Sequence, residues 1–110
     1  MKTTLQAGIA AKRKYRIDRE RTIDFMGEQA RVYATPMLVR DIEVTCSEFL
    51  LEHLDAGEDS VGMRVEIDHL AATLLGMEVE VSVSVVEVKG RAVTFAVEAH
   101  DGIDAVCRGK

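Results

Sequence analysis

Residues 35–54, TPMLVRDIEVTCSEFLLEHL, read as one long helix and decide the fold. Thr35-Pro36 offers an N-cap candidate followed by Pro at the first helical position. Ala56-Gly57 supplies a stop signal after Leu54. At about 100° per residue, Leu38, Val39, Ile42, Cys46, Phe49, Leu50 and Leu54 fall on one broad apolar arc. Asp41, Glu48, Glu52 and Asp55 gather on the opposite side. Glu43 does not join them. It lies among Val39, Cys46 and Leu50, which predicts a carboxylate on a buried helical face.

Downstream the periodicity changes to two. Met63, Val65 and Ile67 alternate with Arg64, Glu66 and Asp68, as in a half-buried strand, and His69 shares the apolar parity. Met77, Val79, Val81, Val83 and Val85 continue the pattern, and the phase slips at Val85-Val86, the mark of a β-bulge. Lys89-Gly90-Arg91 reads as a hairpin turn into Val93, Phe95, Val97 and Ala99. Asp101-Gly102 is a second turn, before Ile103, Ala105 and Cys107 on a last strand. Upstream, Tyr15, Ile17, Ile23 and Phe25 suggest short extended pieces. The order is weak strands, one helix, then four strands in a meander. A helix with an apolar arc and a sheet with one apolar face cover each other, giving an α+β roll. That element order is the layout of a hotdog fold, a curled antiparallel sheet wrapped around one long central helix. Exposed sheet edges in so small a domain favour a homodimer.

The chain has 110 residues with 14 Lys+Arg against 19 Asp+Glu, a net charge of −5, so a single domain is expected. Hydrophobic residues at 47% and charged residues at 30% exclude a disordered chain. The acidity argues against a nucleic-acid binder, and aromatics at 5% with no Trp argue against a base-stacking platform. A weaker alternative is an anionic-surface binder using Lys12–Arg21. No run approaches a membrane span, and the N-terminus lacks a clear cleavage pattern, so no signal peptide is expected. Cys46 and Cys107 lack metal-site spacing, and two are too few for a disulfide scaffold. A reducing cytoplasm is the expected compartment.

Three side chains stand out chemically: the Glu43 carboxylate, the His69 imidazole, and the Thr35 hydroxyl two turns before Glu43. Convergence would suit general acid/base or nucleophilic chemistry near neutral pH. Each also has a plain structural reading. Thr35 fits a cap, His69 a satisfied strand residue, and Glu43 a carboxylate facing a partner's arginine.

The segment His69-Leu70-Ala71-Ala72-Thr73, with Gly76 after it, resembles the H-x-A-A-T-x-x-G motif of the fluoroacetyl-CoA thioesterase family. The similarity runs from about residue 32 to 109, through Ala34-Thr35, Glu43, Gly62, Ala99-His100-Asp101-Gly102 and Arg108-Gly109. It implies a homodimeric hotdog hydrolase acting on acyl-CoA thioesters without a metal or redox cofactor. Thr35, Glu43 and His69 would be the catalytic trio, and Gly62 would offer its backbone N–H to the thioester oxygen. Glu43 would attack the carbonyl or activate water, His69 would assist proton transfer, and Thr35 would position carboxylate and substrate. Between Thr22 and Thr35 the chain is shorter than the fluoroacetyl-specific enzyme in the segment forming its Phe-bearing lid. Phe25 is the only Phe there, so a different small or medium acyl group is expected. The chain also ends at Lys110, where the family's last strand continues with basic residues that help hold substrate. Lys12, Arg13, Lys14 and Arg64 are local candidates for the CoA phosphates. A hotdog module that holds an acyl-CoA without turning it over is the alternative.

Overall fold

Strand β5, Glu78–Lys89, is the spine of the sheet. Its inward residues Val79, Val81, Val83 and Val85 are all buried, and Val86 is half exposed where the phase slips. The expected bulge is there: the register against the next strand shifts between Val85 and Glu87. The computed structural model describes residues 1–23 and 31–110; Phe25 lies outside them.

Four further strands complete an antiparallel sheet. These are β1 (Ala10–Arg16), β4 (Ile67–His69), β6 (Ala92–His100) and β7 (Ala105–Gly109), in the order β1-β5-β6-β7-β4. Val81 faces Ala99, Val83 faces Val97 and Val85 faces Phe95, so β5 and β6 present one continuous apolar surface. A short ribbon, β2 (Thr22–Ile23) with β3 (Val32–Tyr33), precedes the helix. Helix α1, Thr35–Leu51, lies across β5 and β1, and its Phe49 ring meets Phe95 of β6 at 6.4 Å. One helix packed on one face of a five-stranded antiparallel sheet is the hotdog arrangement.

Several expectations are corrected. The downstream strands are not a simple meander, because β4 pairs with β7 at the far edge. Regular pairing there begins only at Ile67, and Met63 is 90% exposed. In the last strand Val106 and Cys107 are buried, while Ile103 is exposed, because the register shifts between Ala99 and His100. Ala34 is the N-cap, Thr35 opens the first turn, and α1 ends three residues before Leu54, with Glu52 as C-cap.

The face seated on the sheet is also rotated from the middle of the apolar arc. Leu38, Asp41, Ile42 and Thr45 are the helix's buried residues, whereas Glu43 is exposed and Val39, Cys46 and Leu50 are only half-buried. Asp41 and Glu43 have thus exchanged their expected places. The cause is a cation from outside the helix: Arg21 neutralises Asp41 and lets that side turn inward.

At the β4 edge the two backbones meet closely. Glu66 and Lys110 exchange N–H···O bonds of 2.8 Å, and a Cβ on Gly109 would overlap the Glu66 carbonyl and sit 2.7 Å from Ile67 Cα. Gly109→Ala should therefore destabilise the fold by about 1–3 kcal/mol, read as a lowered midpoint in thermal denaturation. An unchanged midpoint would refute the close approach.

Candidate active site

His69 ends the edge strand β4, opposite Cys107 of β7. Thr35, at the start of α1, places its hydroxyl 2.8 Å from His69 Nδ1. The other ring nitrogen, Nε2, is buried and meets no hydrogen-bond partner among the described residues. Such a nitrogen is chemically uncommitted. Burial holds the imidazole below its ordinary value of 6.5, so the neutral ring dominates at pH 7.

Tyr33 stands edge-on to His69, with ring centroids 6.3 Å apart and planes at 83°. Its backbone N–H donates to the Thr73 carbonyl at 2.8 Å, and Val32 bridges to Leu74. The chain entering α1 is thereby stitched to the chain leaving β4. The Thr73 hydroxyl, fully buried, is a second polar group without a partner among the described residues.

Glu43 sits two turns further along α1, about 12 Å along the axis from Thr35. It is exposed rather than buried, and it approaches Gly62: a Cβ there would lie 3.3 Å from both Glu43 Cδ and Oε1. Only a glycine leaves this carboxylate and the Gly62 backbone so close without displacement. The Glu43 charge and, chiefly, burial push the Cys46 thiol up to about 11.

The chain therefore assembles the four residues as two couples, Thr35 with His69 and Glu43 with Gly62. Among the described residues no hydrogen bond or ion pair links His69 to Glu43. Arg64 is exposed and pairs with Glu66. Lys12 pairs with Glu80 at 3.9 Å and Arg13 with Glu48. Such exposed pairs are weak and leave these cations available to a stronger anion.

A further cluster escaped the sequence. Asp41, 1% exposed, accepts from Arg21 Nε at 2.8 Å and Nη2 at 3.1 Å, and from the Tyr33 hydroxyl. Burial and the Asp41 carboxylate raise the Tyr33 phenol far above its ordinary value. Arg21 and Tyr33 lie 20 and eight residues from Asp41, spacings with no local signature. Among the described residues no helix is long and apolar enough to cross a membrane.

Residues 17–110 match the family model for the fluoroacetyl-CoA-specific thioesterase. The fluoroacetyl-CoA thioesterase of Streptantibioticus cattleyicolor is 35% identical over 82 residues, covering 74% of this chain and 59% of that protein. The chain thus spans somewhat under two thirds of that relative's length. A crystal structure of the fluoroacetyl-CoA thioesterase superposes with a TM-score of 0.87 at 28% identity, over 96% of this chain and 83% of that one. A thioesterase superfamily member from Thermus thermophilus gives 0.85 at 31%, covering 96% and 79%. A hot-dog-like protein from Thermanaerovibrio acidaminovorans gives 0.85 at 25%, covering 94% and 77%. By fold and by sequence, the chain belongs to the fluoroacetyl-CoA thioesterase family.

Proposed function

We propose that this protein is an acyl-CoA thioesterase that hydrolyses a small or medium acyl-CoA as a homodimer in the cytoplasm. The observation that carries this reading is His69, bonded through Nδ1 to Thr35 and without a partner at Nε2 among the described residues. A second couple, Glu43 against Gly62, supplies a carboxylate beside a backbone N–H that a substrate can approach.

Hydrolysis adds water across the acyl C–S bond: oxygen joins the carbonyl carbon, the C–S bond breaks, and a proton must reach the departing thiolate. Glu43 opens the reaction, either by taking a proton from the attacking water or by attacking the carbonyl carbon and expelling the thiolate, leaving a mixed anhydride that water then cleaves to restore the carboxylate. The Gly62 N–H meets the negative oxygen of the tetrahedral intermediate. His69 passes the proton through Nε2, with Thr35 holding the ring at Nδ1. A neutral imidazole can both accept and return a proton near pH 7, which burial favours here.

Three features support the dimer. The chain is elongated, 48 × 25 × 20 Å, with a radius of gyration of 15.0 Å against roughly 13 Å for a compact chain of this length. The stripe Val39–Cys46–Leu50, which contains Glu43, is only partly covered. Val61 and Met63, flanking Gly62, are 88% and 90% exposed. A second copy seated there would bury this apolar surface and enclose the carboxylate. The family's fluoroacetyl-CoA thioesterase has been crystallised with fluoroacetate and CoA. For the present chain the acyl group is a separate question.

Release of free CoA from a panel of acyl-CoAs, followed with Ellman's reagent, tests the activity. His69→Ala and Glu43→Ala should each lower kcat/KM by about 100-fold or more while the variants stay folded. Rates equal to wild type would sink the assignment, and tight acyl-CoA binding without hydrolysis would favour the holding module instead.

The pH dependence has a defined sign. The folded pKa of His69 lies below 6.5, so the native state resists protonation that the unfolded chain accepts. Its stabilising contribution is complete above pH 6.5 and is lost as pH falls from there toward the folded value. An NMR titration of the His69 ring should give a midpoint below 6.5, with the acid limb of kcat/KM following it. A midpoint at or above 6.5 would contradict the burial argument.

A further inference from the structure

An imidazole anchored through a single nitrogen can swing about that hydrogen bond, carrying its other nitrogen off target. His69 has one such anchor, Thr35 at Nδ1, and its only aromatic neighbour among the described residues is the edge of the Tyr33 ring. Tyr33 in turn has no freedom to turn. Its ring is 2% exposed, its N–H is tied to the Thr73 carbonyl, and its hydroxyl donates to Asp41. Asp41 is gripped by both forks of Arg21, and Arg21 Nη1 is held by Asp18 at 2.7 Å. Arg21 also lies over the Tyr15 ring, 5.3 Å from its centroid.

We propose that Arg21, Asp41 and Tyr33 form a positioning relay that fixes the plane of the His69 imidazole and so aims Nε2. Tyr33 is then a positioning residue, and Asp41 and Arg21 act through it. This rests on the thioesterase reading for its consequence in turnover, though not for the relay itself. Packing alone is a poor explanation of the cluster. A buried ion pair is often replaceable by apolar side chains of similar volume without loss of stability. A buried tyrosine likewise demands a partner that phenylalanine would not. What the polar version adds is direction: the Tyr33 hydroxyl has one acceptor, at one point on α1, and the ring cannot rotate away from it. The same helix carries Thr35, so both groups that touch His69 are referenced to one rigid element.

The groups facing the imidazole are the Tyr33 ring from β3, the Thr35 hydroxyl from α1 and the Cys107 thiol across the register from β7. None carries charge at pH 7, and burial is the cause of the depressed His69 value. Loosening the ring should therefore admit water and move its titration upward.

Tyr33→Phe, which keeps the ring and removes only its bond to Asp41, is the direct test in the full-length protein. The expected result is a fall in kcat of about 10-fold or more with little change in KM. The His69 NMR midpoint should rise toward 6.5, and the acid limb of the rate profile with it. Asp41→Asn places an amide NH2 where Arg21 or Tyr33 now donates, so it breaks the relay one step earlier and should move kcat and the midpoint in the same direction. It also serves as the second reading where Tyr33→Phe lowers the yield of folded protein. A Tyr33→Phe or Asp41→Asn protein with a lower Tm but wild-type kcat and His69 midpoint would overturn the relay. If the wild type hydrolyses no acyl-CoA, the thioesterase reading fails, and the NMR midpoint alone still decides the relay.

Discussion

A carboxylate with almost no access to water holds this molecule together. Asp41 accepts from Arg21 and Tyr33 through its side chain, and its backbone carbonyl accepts from the hydroxyls of Tyr15 and Thr45 at 3.1 and 2.7 Å. Strand β1, the turn carrying Arg21, strand β3 and helix α1 thus meet at one residue. Burying a charge is costly unless it is paired and hydrogen-bonded, and removing one member of such a set leaves the rest uncompensated. The cluster is therefore nearly all-or-none, which fixes the rotation of α1 about its axis. That rotation puts Thr35 beside His69 and leaves Glu43 facing outward beside Gly62.

The sheet supplies the opposite quality, a rigid floor. Four valines of β5 lock α1 against the centre, while the candidate site gathers at the rim, on the three-residue edge strand β4 and the irregular stretch before it. A rim position is where backbone N–H groups remain unused and where side chains can be reached. It is also where a lone sheet is least protected. The exposed Val61 and Met63 beside Gly62 make the point chemically: the surface nearest the reactive groups is apolar and uncovered in a single chain. Enclosure by a second copy would meet the needs of the edge and of the site together.

Much of this architecture was legible from local pattern. The valine alternation of β5 and its bulge follow from period-two parity, and the helix start was placed within one residue by Thr35-Pro36. What failed shares one cause, dependence on residues remote in sequence. The helical wheel ranked Asp41 as solvent-facing because Arg21 and Tyr33 are invisible to it, and it ranked Glu43 as buried because its neighbours are apolar. The order of strands beyond β6 was misread for a similar reason: pairing of β4 with β7 closes a loop of about 40 residues that no turn motif announces. For the site, residue types and spacings singled out Thr35, Glu43 and His69, but not Tyr33, whose role lies in what its hydroxyl reaches.

The two acids of α1 show why placement outweighs count in a chain with 19 of them. Asp41 is the more buried, and by burial alone would be the better candidate for a perturbed, reactive carboxylate. Yet each of its oxygens is engaged by a donor, Nη2 of Arg21 on one and Nε of Arg21 with the Tyr33 hydroxyl on the other. A carboxylate so coordinated, and 1% exposed, has no path by which a carbonyl carbon could reach it. Glu43 is the reverse: it is exposed, among the described residues no ion pair engages it, and its carboxylate lies against Gly62. The fold uses one acid to set the helix and leaves the other exposed on its outer face beside Gly62, where an incoming group can reach it.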